Sequence, residues 1–140
     1  MGWQLLAEHL AAVAKISGEL AEAARPGDER FVELARLSGL LHDYGKYTDC
    51  FQQMIVTGRG RCQHAIHGAL LSYFGTSATR TKPNLTHVAA AIAGHHAGLP
   101  DITGTGNSLR KALVQSLPKR RSSVGEGSIG RQAARTAAQI

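Results

Sequence analysis

Aromatic side chains make up only 5% of this 140-residue sequence, three Phe, three Tyr and one Trp. So sparse a set argues against an aromatic-lined pocket for a nucleobase. There are two cysteines, Cys50 and Cys62, and neither belongs to a CxxC or a finger spacing. They therefore read as reduced thiols of a cytoplasmic protein, and structural zinc is not expected. The longest apolar stretches are helix-sized and broken by polar residues, so no transmembrane span and no membrane partner are expected. The opening MGWQLLAEHL lacks a basic n-region and does not read as a signal peptide. A GxSxG elbow and a phosphate-binding P-loop are both missing, which removes serine-nucleophile and P-loop chemistry. Acidic residues are few, 10 against 16 Lys and Arg, and the resulting net charge of +6 favours a polyanionic partner such as nucleic acid.

Helical periodicity fills most of the chain. Leu6, Leu10, Val13 and Leu20 recur at helical spacing within residues 3–24. Arg25-Pro26-Gly27-Asp28 breaks that run, and Asp28 is placed to cap a second helix carrying Phe31, Leu34, Leu37 and Leu41. This helix runs into His42-Asp43, with Gly45 as its expected stop. A short helix from Asp49 to Val56, a Gly/Arg loop from Thr57 to Arg61, and helices over 64–74, 85–95 and 107–117 follow. The loop 75–84 is polar, and Pro118 ends the last helix. No alternating apolar/polar run predicts a strand, and there is no internal repeat. The expected fold is an all-α helical bundle over residues 1–117. Residues 118–140 form a basic, Ser/Gly-rich tail with Lys119, Arg120, Arg121, Arg131 and Arg135 opposed only by Glu126.

Seven histidines are many for this length, and their placement matters more than their number. His42-Asp43 and His95-His96 are adjacent pairs at expected helix ends. His64 opens a helix, and His9 shares a helix face with Leu5 and Val13. Imidazole suits transition metals, and a carboxylate set between two sites can bridge two ions. One aspartate among several histidines is therefore the set that a one- or two-metal hydrolytic site requires, with no serine or cysteine nucleophile. His67 and His87 have no partner at ligand spacing and read as structural.

Together these segments resemble a known family. The run LSGLLHDYGKYTDCFQQMI (37–55) resembles the HD signature of the type I CRISPR-associated helicase-nucleases. EHLAAVA (8–14) looks like that family's first helix, HAIHGALL (64–71) like its third motif, and AIAGHHAGLPD (91–101) like its double-histidine motif. The resemblance implies an HD-domain helical bundle with a metal site between helices. It implies that Asp43 bridges two ions, with His9 and His42 on the first and His64, His95 and His96 on the second. Lys46 would stabilise charge on the scissile phosphate. It further implies one or two divalent ions (manganese, nickel, cobalt or magnesium) and single-stranded DNA as substrate. The implied partners are a helicase domain on the same or a partner chain and an RNA-guided surveillance complex.

The chain departs from that pattern once. The family's first metal site is completed by an aspartate well past the double histidine, whereas here the only later aspartate is Asp101, in the GLPD turn. Either the segment carrying that ligand lies beyond this sequence or another residue replaces it. Without a helix across the site, partial exposure is expected around Leu5, Leu41 and Ile92. The reading is a metal-dependent endonuclease for single-stranded DNA in antiviral defence. Its rivals are an HD-type nucleotide phosphohydrolase and a catalytically incomplete, metal-binding remnant.

Overall fold

In the computed structural model, residues 4–75, 85–96, 98–102 and 108–117 are described. Those residues form six α-helices and one short 3-10 turn, with no strand among them. Helix α1 spans Leu6–Ala24, α2 Glu29–Leu41, α3 Asp49–Thr57, α4 Ala65–Phe74, α5 Thr86–Gly94 and α6 Ser108–Ser116. The 3-10 turn, Tyr44–Tyr47, lies between α2 and α3. The expected helices are all present, with ends shifted by a few residues at most. The basic, Ser/Gly-rich tail expected over 118–140 falls outside the described residues, as does all but the first residue of the polar loop expected over 75–84.

Local chemistry sets the boundaries. The Asp28 carboxylate accepts from Phe31 N at 3.0 Å and satisfies one of the free amides that open α2. The Thr48 hydroxyl does the same for Phe51 N at the start of α3. Gly58, at φ +64, closes α3 in the left-handed region that a side chain disfavours.

Helices α1 and α2 form an antiparallel pair. The Arg25 guanidinium rests 4.7 Å from the Phe31 ring at one end, and His9 and His42 meet at the other. Helices α4 and α5 pair likewise, with His64 at the start of α4 meeting His95 and His96 at the end of α5. The main core lies where α4, α5 and α6 meet, around Ala69, Val88, Ala89, Ile92, Leu109 and Leu113. Ile92, Leu109 and Leu113 are fully buried, each contributing about 1.5–3 kcal/mol by leaving water.

Three expectations are corrected here. Ile92 is 1% exposed because it belongs to this core, and Leu41 is half-buried and packs on it. Leu5, at 66% exposure, and the half-buried Leu41 are partly exposed as expected. Gly45 does not stop α2, which ends at Leu41; it is buried inside the 3-10 turn, where a Cβ would overlap the backbone carbonyl of His64. Its missing side chain lets the start of α4 close onto the turn. Cys50 and Cys62 are not free thiols but a disulfide, their Cα atoms 6.1 Å apart, well within the reach of such a bond. The bond joins the first turn of α3 to the segment entering α4, a proximity created by the chain's reversal between them. Cysteine usage therefore no longer argues for a reducing compartment. Among the described residues, no helix is long and apolar enough to cross a membrane.

Candidate metal centre

Five chain segments converge at one end of the bundle. His42 caps the C-terminus of α2, Asp43 opens the 3-10 turn, and Lys46 lies within that turn. His64 is the residue before α4, His95 the residue after α5, and His9 stands in the first turns of α1. Two helix C-termini, those of α2 and α5, thus point their partial negative charge at the same place, which favours a cation there. Gly68 lets α4 come close enough, since a Cβ at that position would run into the Leu41 carbonyl.

At the middle is Asp43, only 4% exposed, and its two oxygens face different partners. Oδ2 lies 3.2 Å from His42 Nε2, 3.4 Å from His9 Nε2 and 2.6 Å from the Lys46 ammonium. Oδ1 lies 3.0 Å from His64 Nε2 and 3.6 Å from His95 Nε2. His96 joins that side through His64, their Nε2 atoms 3.0 Å apart. Two groups of donor atoms result, each gathered within 4.8 Å: Asp43, His64, His95 and His96 in one, and His9, His42 and Asp43 in the other. All six predicted metal ligands are brought together, and they divide between the carboxylate oxygens as the resemblance implies. Lys46 joins them, bound to the carboxylate itself.

The backbone settles how two of the imidazoles point. His42 Nδ1 donates to the Gly39 carbonyl at 2.7 Å and His95 Nδ1 to the Ile92 carbonyl at 2.6 Å, each three residues back at a helix end where carbonyls are free. In the neutral rings, Nε2 is then a bare lone pair, and both lone pairs face the carboxylate. Asp43 Oδ1 is buried and accepts no hydrogen bond. Lone pairs gathered on an unsatisfied carboxylate oxygen repel one another until a cation lies between them. The donor set therefore fits a divalent metal, with nitrogen ligands suited to the transition series.

Electrostatics agree. Burial pushes the Asp43 carboxyl up, but the hydrogen bond from Lys46 and the charges of His42, Lys46 and His64 outweigh it and hold the group below its ordinary value. The His64 imidazole is held below its ordinary value chiefly by burial. Lys46, His96 and His95 push the same way, and Asp43 opposes them. At neutral pH the centre thus offers a carboxylate and a neutral His64, the forms that bind metal.

Two features of this centre escape sequence reasoning. The carbonyls that orient His42 and His95 leave no trace in residue identity, although a histidine at a helix C-terminus with carbonyls three residues back was a usable signal. The Phe51 ring, 5.1 Å from the His64 ring, holds that imidazole edge-on. Asp101 joins neither donor group; its backbone is bound to the start of α6 through Ser108 Oγ and Leu109 N. His87 is exposed and His67 half-buried, and neither enters a donor group.

The sequence profile of the HD domain family matches residues 6–124. The chain belongs to the HD domain family. Among curated proteins and among solved structures, none matches it. HD domains are generally metal-dependent hydrolases, and the His-Asp pair that marks the family is His42-Asp43 here. The HD pair thus supplies one imidazole and the shared carboxylate, and the rest of the bundle supplies four more imidazoles.

Beside the Oδ2 face of this HD centre lies a cavity of about 330 Å³, lined by His9, Lys46, Phe51, Gln4, Gln52 and Ile55 among others. A second cavity, of about 320 Å³, is bordered by Arg59 and Arg61 of the loop after α3.

Proposed function

We propose that this HD domain is a metal-dependent phosphodiesterase acting as an endonuclease on single-stranded DNA in CRISPR-type antiviral defence. The observation that carries the metal-dependent reading is the carboxylate of Asp43, buried, with a separate set of imidazoles facing each of its oxygens. One or two divalent ions (manganese, nickel, cobalt or magnesium) would be held on one or both of those faces. Bound there, such an ion supplies Lewis acidity towards a phosphoryl oxygen and towards water. Asp43 keeps the imidazoles together and supplies the negative charge. His42 and His95 present their Nε2 atoms rigidly, because their Nδ1 protons are tied to the backbone. Lys46, about a third exposed at the edge of the adjoining cavity, is placed to meet negative charge on a scissile phosphate.

The substrate is argued from sequence. The four motifs resemble those of the helicase-nucleases, the net charge is +6, and Arg59 and Arg61 form a basic rim beside α3. A helicase domain and an RNA-guided complex as partners, and a cytoplasmic setting, rest on that resemblance. The test is turnover of single-stranded DNA against a panel of nucleotides and cyclic nucleotides, with added manganese or nickel. Metal-dependent cutting of single-stranded DNA is expected, lost in Asp43→Ala with the helical circular dichroism retained. Turnover of nucleotides only would replace the nuclease reading with a nucleotide phosphohydrolase. Full activity in Asp43→Ala would refute the centre.

A further inference from the structure

The two faces of Asp43 are unequal. Three imidazoles stand on the Oδ1 side, from His64, His95 and His96, against two on the Oδ2 side, from His9 and His42. The Oδ2 side also carries the Lys46 ammonium, at 2.6 Å the shortest contact that the carboxylate makes. That contact is built into the backbone. Lys46 N donates to the Asp43 carbonyl at 2.9 Å across the 3-10 turn, and the Lys46 carbonyl accepts from Gln52 Nε2 at 2.6 Å. The turn fixes the lysine three residues after the aspartate, and the Phe51 ring lies 5.8 Å from its ammonium. Among the described residues, Asp43 is the only carboxylate in either donor group. A divalent ion on the Oδ2 side would share one oxygen with an ammonium a few ångströms away, at a half-buried site, and among the described residues no second carboxylate joins that group to offset the repulsion.

Building on the metal reading above, we propose that Lys46 is the resident cation of the Oδ2 face. The chain then holds a single divalent ion on the Oδ1 face, through Asp43, His64, His95 and His96. Lys46 neutralises Oδ2 in place of a second ion. His9 and Lys46 border the cavity from which a phosphate reaches the centre, and Lys46 supplies the fixed positive charge on that side. The centre is thus a metal-plus-lysine site.

Metal stoichiometry tests this without reference to turnover. Calorimetry and native mass spectrometry with manganese alone, on the whole chain, should find about one tightly held ion, any second being weaker by on the order of a hundredfold. Lys46→Met keeps an unbranched side chain only one atom shorter and removes the charge, and should raise the count to about two, with the spin-coupled resonance of a manganese pair. Lys46→Arg should stay at about one. In the otherwise unchanged chain, His9→Ala should leave the tight ion in place and His64→Ala should remove it. Circular dichroism checks each variant, and Lys46→Gln takes the place of Lys46→Met if the latter does not fold. Two equally tight ions in the unaltered chain, about one in both uncharged variants, or loss of the tight ion in His9→Ala would each overturn the proposal. An unaltered chain that binds no manganese would instead overturn the metal reading on which it rests.

Discussion

Histidines in this chain are of two kinds, and neighbouring residues decide which. His42 and His95 each sit at a helix C-terminus, where a free carbonyl three residues back takes the Nδ1 proton and turns Nε2 towards Asp43. His67 lies within α4 and His87 within α5, and neither reaches the carboxylate. Replacing His87 with Ala or His67 with Asn should therefore leave bound metal unchanged, whereas His64→Ala should lose it. Elemental analysis of the purified variants decides this. A chain depleted of metal by His67→Asn would place that residue in the centre and contradict the assignment. The candidate His/Asp set was legible in the sequence through short local motifs that resemble those of a known family. The two orienting carbonyls were not, since every residue has one and only the bundle aims these two.

Whole elements are positioned by what they lack at crossing points. Gly68 in α4 sits against the Leu41 carbonyl that ends α2, and Gly45 in the turn sits against the carbonyl of His64. Both contacts draw the start of α4 towards Asp43. A methyl group at Gly68 meets backbone, which cannot rotate aside, so Gly68→Ala should cost about 1–3 kcal/mol. It should also weaken metal binding by moving His64 away from Asp43 Oδ1. Thermal unfolding and a manganese titration on the same variant check both effects. Unchanged stability and affinity would show that α4 is free to shift without consequence. Sequence periodicity located these helices well, because an apolar stripe and a cap are properties of ten or so neighbouring residues. The 3-10 turn is not legible in the sequence, since its four residues carry no period and Gly45 reads locally as a helix stop.

The molecule as a whole is held together by its α4–α5–α6 core at one place and by a polar centre at another, so its stability depends on pH through that centre. His64 is held below its ordinary value of 6.5, chiefly by burial. As pH falls past that value the unfolded chain takes up a proton that the folded chain refuses, so folding loses ground. Asp43, held below 3.8, adds stability that is present above that value and lost as pH falls through its lowered one. Both shifts have the same sign. The metal-free chain should therefore show a falling Tm as pH is lowered from about 7 towards 4, and the metal-loaded chain a steeper fall, because protons compete with the ion for imidazole. A Tm that rose on acidification would show that burial does not hold the His64 imidazole below its ordinary value.

The all-α class and the six helices followed from sequence alone, because helical periodicity and capping are written in residue types and short spacings; the candidate ligand set came from the resemblance of four short motifs. Three matters were decided only in three dimensions. Cys50 and Cys62 became a disulfide because the chain reverses between α3 and α4, a path no local pattern records. Ile92 became core because α5 packs against α4 there, beside Gly68, not because of its immediate neighbours. The grouping of the histidines into two sets is what the resemblance implies, but the 2.6 Å contact of Lys46 with Asp43 Oδ2, across the 3-10 turn, leaves no mark in the sequence. Residue types determine which groups can bind a cation; the packing of the bundle determines which oxygen each group faces.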